Sequence, residues 1–480
     1  MSVSIALLGD CVETWLMAYG LAVKLKAQHP GVEAADIRVI AQHSNQQSVL
    51  HLSPDDLALF AEIGISEREL VEQCNGQFSL GYSYSLTATK AADSFFCWGS
   101  YGFKQGSFAF HQLWTKARLL SEVGAFHEYC FAAQCAASGK FVHPQRDPRS
   151  VLSQLQHSIV IDAEQLKALL IKRGTALGVG LEKAAGNLSV ELCSHEVTVV
   201  VDATAGPINA DVFLDFTGDV FAGLGEGLQS VTTAYNTSVA LRLQEKQPKP
   251  HSCLTSNEYG WVRCDYLGDE KVVQQIFNRH QYDAEMVENH MVNEYPAADS
   301  LVRTEYPDHV FNDHWKGNVL LCGSRAAGPG YFIAGCCQVL HRQMQTLLEL
   351  LPRPDVHFSE LALLNREYNY FSKVLVARLS EINWLHADTS PDDPGIRANV
   401  QRFVDLFQTR GHVMHVTESL LSDSTWAKLL IALGVFPKDS DPLLDGVPFD
   451  PILKKMAAGK DALASAVTQL PPLKLYREHY

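Results

Sequence analysis

In IALLGDCVETWLMAYGLAVKL, residues 5–25, an apolar run meets a single glycine and then a helical repeat. Strand, tight turn and helix in that order frame a dinucleotide site, in which the helix N-terminus receives a pyrophosphate. Three glycines normally serve it. The first makes the turn, the second lets the backbone reach the phosphates, and the third lets helix and strand pack closely. Gly9 holds the first place here, while Cys11 and Thr14 hold the other two. Side chains at those places intrude where phosphate would sit, and Asp10 and Glu13 add negative charge beside an anion. The next apolar run, IRVIA (37–41), ends in Gln42 and His43 rather than in the acid that grips a ribose, although an amide still donates and accepts. Gly328-Pro329-Gly330 is a second flexible turn, at a helix start where an anion could dock. His412 and His415 would share one helix face, but no third ligand accompanies them, so no metal is expected. There is no Gly-x-Ser-x-Gly elbow and no Walker loop.

The elements that must position these residues follow from periodicity. VSIALL (3–8) and IRVIA read as buried strands on either side of a helix carrying Trp15, Ala18, Leu21, Ala22 and Leu25 on one stripe. Ser53-Pro54-Asp55-Asp56 announces a capped helix. Residues 78–110 alternate aromatic and turn residues, as strands and loops of a sheet do. Residues 112–136, 148–156 and 161–179 read as helical, 191–205 as strand, turn and strand, and 211–218 as a buried strand entering a Gly turn. Residues 228–267 read as mostly β, 317–351 as strand, Gly-rich turn and long helix, and the remainder as mainly helical. The expected class is α/β: a Rossmann-like dinucleotide-binding domain with an inserted sheet and a helical C-terminal part. Its segments would be 1–75 and 151–225 of the nucleotide-type domain, 76–150 and 226–312 inserted, 313–352 the last nucleotide-type strand, turn and helix, and 353–480 the helical region.

Composition excludes some partners. The formal charge of -15 opposes broad nucleic-acid binding and attraction to anionic membranes. Eleven scattered cysteines without a Cys-x-x-Cys motif suit a reduced compartment. The opening MSVSIALLGD lacks a basic segment and a cleavage site, and no apolar run reaches the ~20 residues of a spanning helix, so a cytoplasmic protein is expected.

Several stretches together resemble the flavin-dependent tryptophan halogenase family, within the FAD-dependent monooxygenases. Trp15 matches the tryptophan that follows that family's glycine fingerprint. NGQFSLGYSYS, SYGFKQGSFAFHQLW, IDAEQLKALLIKRGTALGV, LDFTG, WKGNVLLCGSRAAG and TWAKLLIALGVFPKDSDPLLD resemble further family segments in the family's order. The resemblance implies a glutathione-reductase-type FAD fold, an indole, tryptophan-like or peptide substrate, a flavin reductase if the protein is active, and a homodimer or a partner protein. It places FAD contacts at Gly9, Cys11, Thr14, Gln42, Asp215, Gly218, Gly323 and Gly328, and substrate contacts at Phe103, His111 and Trp261.

Departures from the family carry the functional expectation. Ser79 stands where the resemblance puts a halogenating lysine, and a neutral hydroxyl cannot form the species an ammonium does. Ala334 stands at the catalytic glutamate and Gly323-Ser324 at a Gly-Asp pair. In GWVRCDY, Trp261 survives from a Trp-x-Trp-x-Ile-Pro signature, but Arg263 and Asp265-Tyr266 replace the rest and predict a changed or open wall. His51 reads as a partly buried loop histidine. Two readings follow. One is an FAD-type oxidoreductase or monooxygenase that no longer halogenates. The other is a non-catalytic pseudoenzyme, a binding or partner subunit with weak FAD binding or none.

Overall fold

The computed structural model describes residues 3–28, 36–42, 47–86, 94–192, 198–202, 204, 206–224, 230–333, 335–352, 358–387, 393–413, 420–478 and 480. Strand β1 (Ser4–Leu8), helix α1 (Val12–Gln28) and strand β2 (Asp36–Ala41) form the opening unit. Ile5 to Leu8 are wholly buried, as a central parallel strand covered on both faces requires. β1 lies between β2 and Val212–Asp215, with Ile5 opposite both Ile37 and Val212. Gly180–Lys183 extends the sheet beyond β2, and Val319–Leu321 extends it beyond Val212–Asp215. The hairpin partner Trp315–Lys316 is its antiparallel edge. The order therefore reverses beside β1, and open α/β sheets bind ligands at that kind of crevice.

α1 packs against the helices Ala163–Ala176 and Cys336–Glu349. Gly20 permits the second contact, since a Cβ there would stand 2.6 Å from Met344 Sδ.

A second, seven-stranded sheet runs Leu301–Glu305, Thr237–Gln244, Glu270–Phe277, Gly260–Leu267, Ser252–Asn257, Gly81–Ser85 and Ser94–Cys97. Its two early strands and five late ones form one layer, joined where Ser252–Asn257 runs parallel to Gly81–Ser85. A small antiparallel sheet of Val49–Leu52, Ser158–Asp162 and Gln77–Ser79 carries Ser79, its strands interleaved in sequence with those of the two larger sheets. Helices Phe358–Leu385, Pro394–Arg410, Asp423–Ala432, Asp450–Thr468 and Leu473–Glu478 form the C-terminal region. No helix among the described residues is long and apolar enough to cross a membrane.

Three segments differ from the sequence expectation, and of residues 148–156 only Val151–Gln154 is helical, as a single 3-10 turn. Residues 112–136 are not one helix: Phe110–Leu120 ends at Ser121, and the indole of Trp114 donates to the Gly124 carbonyl in the break before Phe131–Ala137 begins. The helix expected over 161–179 starts only at Ala163, because Asp162 ends a strand and also caps the helix through the amides of Glu164 and Gln165.

Candidate functional site

The turn after β1 is built as a dinucleotide seat and filled from within. Gly9 has φ +119, a conformation that suits glycine, and a Cβ there would stand 3.3 Å from Phe216. Asp10 accepts from the Trp15 indole at 3.0 Å and pairs with Lys167 at 3.0 Å, so its charge is held beside the turn. Cys11 and Thr14 touch each other, Sγ to Oγ1, at 3.2 Å. The backbone N–H groups of Thr14 and Glu13 also point at the Cys11 sulfur. These first-turn amides are the donors that a helix N-terminus offers to an anion. Burial, and then the neighbouring Glu13 charge, push the Cys11 thiol up to about 11, so the sulfur is a neutral cap.

Glu13 completes the filling. Its carboxylate Oε2 accepts from Ser324 N at 2.9 Å and from Ser324 Oγ at 3.0 Å. Glu13 is buried, and its carboxylate spans from α1 to the turn after Val319–Leu321. Gly323 makes that approach possible, because an added Cβ would lie 2.3 Å from Glu13 Oε2 and the backbone is left-handed at φ +61. The amide of Gly323 is itself taken by Gln343 Oε1 at 2.9 Å. Charge-assisted hydrogen bonds to an internal carboxylate thus stand where an external anion would compete.

The other expected cofactor contacts divide. Asp215 is wholly buried, and both its oxygens are used. Oδ1 accepts from Thr217 N, Thr217 Oγ1 and Gly218 N, and Oδ2 accepts from Phe221 N. Burial raises its pKa against those bonds. Gly218, at φ +82, caps the short helix that follows and faces the Arg325 side chain. Gln42 follows the last residue of β2 on the same edge of the sheet, with a buried Oε1 that has no hydrogen-bond partner among the described residues. Gly328 stands apart, at φ +76, against Val310 and Thr233. The fold therefore gathers Gly9, Cys11, Thr14, Asp215, Gly218 and Gly323 around one edge, while Gly328 packs against Val310 and Thr233.

Arg263 does not open a wall. Its Nη1 donates to the Tyr331 carbonyl at 2.7 Å, and its Nε lies 2.8 Å from Asp265 Oδ2. Asp265 Oδ1 is 2.8 Å from His51 Nε2, and His51 Nδ1 is 3.0 Å from the Tyr82 hydroxyl. His51 is thus partly buried, as expected, but it lies in a strand and a polar chain rather than in a loop. Burial would raise the Asp265 carboxyl, but Arg263 and then His51 hold it well below the usual carboxylate range. Burial lowers the His51 pKa against the pull of Asp265.

A cavity of about 1550 Å³ meets the filled turn at Gln343. Trp98, Tyr101, Phe103, Phe110 and His111 line one wall. Gln338, Arg342, Gln343 and Tyr368 line another, and Gln343 is the residue that holds the Gly323 amide. Two of the three expected substrate residues, Phe103 and His111, therefore share this space. Burial pushes the His111 imidazole down to about 4. Lys455 Nζ lies 3.9 Å over the Phe103 ring. Trp261 does not reach this cavity. Its indole donates to the His386 carbonyl at 2.7 Å and its ring packs edge-on to Tyr84, Phe332 and His386. Ser79 is also away from it, with Oγ donating to Gly81 O at 3.1 Å. Ala334 lies outside the described residues.

Together these features define a dinucleotide-binding α/β scaffold of the flavoprotein type, joined to an antiparallel sheet and a helical cover. The chain belongs to the tryptophan halogenase family, whose model matches residues 4–449. Among solved structures it is similar to BrvH, a flavin-dependent halogenase from Brevundimonas sp. BAL3, with a TM-score of 0.86, 18% identity and full coverage of both chains. It is also similar to Xcc4156, a flavin-dependent halogenase from Xanthomonas campestris, with a TM-score of 0.84, 16% identity, and 100% of this chain and 98% of that one covered. A tryptophan 6-halogenase (SttH) from Streptomyces toxytricini matches with a TM-score of 0.80 and 16% identity, and 99% of each chain is covered. No curated protein matches significantly. At these identities the structural likeness speaks to fold.

The family implies FAD at the turn after β1. The residues present do not fit it. The α1 amides face Cys11, the Ser324 donors face Glu13, and Gly323 N faces Gln343. A diphosphate would meet a carboxylate where it needs a donor.

Proposed function

We propose that this chain is a non-catalytic member of the family, one that binds a ligand or partner through its retained interior and does not hold FAD as a working cofactor. The observation that carries this reading is the Glu13 carboxylate seated on the amide and hydroxyl of Ser324. The neutral Ser79 and its local bond to Gly81 agree with a loss of halogenating chemistry. A large aromatic-walled cavity beside a cofactor seat filled by the chain's own side chains suits capture of an indole-like or peptide side chain, the kind of group that the family's name points to. FAD titration tests this directly. The purified chain should be colourless, and added FAD should keep its free fluorescence and visible spectrum up to high micromolar protein. Stoichiometric flavin that turns over oxygen after reduction would instead establish an oxidoreductase.

One observation favours that second reading. The cavity reaches Gln343, next to the flavin-type turn, so seat and cavity adjoin as a flavin enzyme needs. Such an enzyme would require Glu13 to swing out and a flavin reductase to supply reduced cofactor.

A further inference from the structure

We infer that Glu67, His143 and His157 form a binding site for a divalent transition-metal ion of the zinc class, separate from both the filled turn and the large cavity. Glu67 opens the helix Glu67–Gln73, His143 follows Phe131–Ala137 outside helix and strand, and His157 immediately precedes the strand Ser158–Asp162. Their ligand atoms all lie within 4.8 Å of one another. His157 Nε2 is 2.8 Å from Glu67 Oε2, and His143 Nε2 contacts Glu67 Oε1. Zinc takes imidazole nitrogen and carboxylate oxygen at about 2.0–2.2 Å, so three such ligands with small side-chain adjustments can surround one ion and leave a fourth position open.

The surroundings are those of a ligand set as well as of a hydrogen-bonded cluster. The Tyr476 hydroxyl lies 2.7 Å from His143 Nδ1, the ring nitrogen that faces away from Glu67. A partner at that nitrogen is what sets the tautomer and orientation of a metal-bound imidazole. The Tyr480 hydroxyl donates to Glu67 Oε1 at 2.9 Å, and its ring stacks on His143 at 5.0 Å. Phe78 and Phe141 stand edge-on to both imidazoles, an apolar shell on their other side. His157 is nearly buried, while Glu67 and His143 keep about a quarter of their side-chain surface, which leaves an entry path. Imidazole with one carboxylate suits zinc, cobalt or nickel rather than calcium or magnesium.

Two arrangements differ in where protons sit. If the cluster is only a strut, both Nε2 atoms carry hydrogens for Glu67, and His143 Nδ1 accepts from Tyr476. If an ion binds, the Nε2 lone pairs face it and His143 Nδ1–H donates to the Tyr476 oxygen.

The test is Co²⁺ and Zn²⁺ titration of the full chain after chelator treatment. Expected are one bound ion per chain, visible Co²⁺ ligand-field absorption lost on adding Zn²⁺, and a melting temperature that rises with Zn²⁺. His143→Gln should abolish all three, with a separate far-UV spectrum showing that it folds. Tyr476→Phe keeps every ligand and should weaken binding by about 10–100-fold. Absence of the cobalt bands at saturating metal, or equal binding by wild type and His143→Gln, would overturn the inference. Nε2–H tautomers at both histidines in nitrogen-resolved spectra at saturating Zn²⁺ would show a strut and overturn it too.

Discussion

Removing the Glu13 side chain should let phosphate back into the turn. In the native chain an incoming diphosphate must break two contacts between Ser324 and the carboxylate, at 2.9 and 3.0 Å. Hydrogen bonds to a charged group contribute about 1.5–3 kcal/mol each. A carboxylate and a phosphate charge about 5 Å apart repel by about 3 kcal/mol at an effective dielectric of about 20. Part of this is recovered if the side chain swings into solvent, so relief of about 4 kcal/mol is a reasonable working value, or about a thousandfold in Kd. The comparison is best made where bulk at the other two places is already gone. Cys11→Gly/Thr14→Gly and Cys11→Gly/Glu13→Ala/Thr14→Gly should be titrated with FAD by fluorescence quenching and with ADP by calorimetry. The triple variant should bind far more tightly than the double. Without ligand it should also be less stable by about 2 kcal/mol, the bonds lost from Ser324, and FAD should restore that difference. Equal Kd values for the two variants would refute the argument that Glu13 holds the anion's place.

Gly323→Ala should cost about 3 kcal/mol in chemical denaturation, from a left-handed alanine and a displaced Glu13, and Glu13→Ala should remove much of that penalty in a double-mutant cycle. Arg263→Met should destabilise by about 3–5 kcal/mol, because it leaves the Asp265 charge buried without its guanidinium, and pairing it with Asp265→Asn should recover part of the loss. Acid should loosen the fold in the pH range below about 6.5. His111, His251, His314 and His386 are pushed by burial to about 4, so the unfolded chain binds more protons between about 6.5 and 4, and each contributes a loss of about 2 kcal/mol by pH 5. Asp56, raised by burial to about 7, works the other way: its stabilisation is full below about 4 and lost as pH rises through 7, so it offsets roughly one histidine at pH 5. Denaturant midpoints measured from pH 8 to 5 should therefore fall, and a flat profile would contradict the buried neutral imidazoles.

The opening β1–α1–β2 unit was legible because its patterns are local: a wholly apolar run, then a stripe at helical spacing. The break between Leu120 and Phe126 was not, because the residues on either side of it keep helical composition and the break is fixed by Trp114 reaching Gly124. Nor was the change of state at Asp162, where one residue ends a strand and caps a helix. At the site, the misfit of Cys11, Glu13 and Thr14 could be read from type and spacing, but the partner of Glu13 lies 311 positions away. Arg263 and Asp265 are two apart on a strand and so share a face, a pairing that period-two reading could have found. His51 joins them only through the fold, and Glu67 is 76 and 90 positions from its histidines.

The buried Arg263–Asp265–His51 chain also limits which single exchanges this interior tolerates. Placing an aromatic residue at position 263 by one substitution would strand an interior aspartate beside a neutral imidazole. The three positions therefore act as one unit, and a redesign of this interior has to exchange them together.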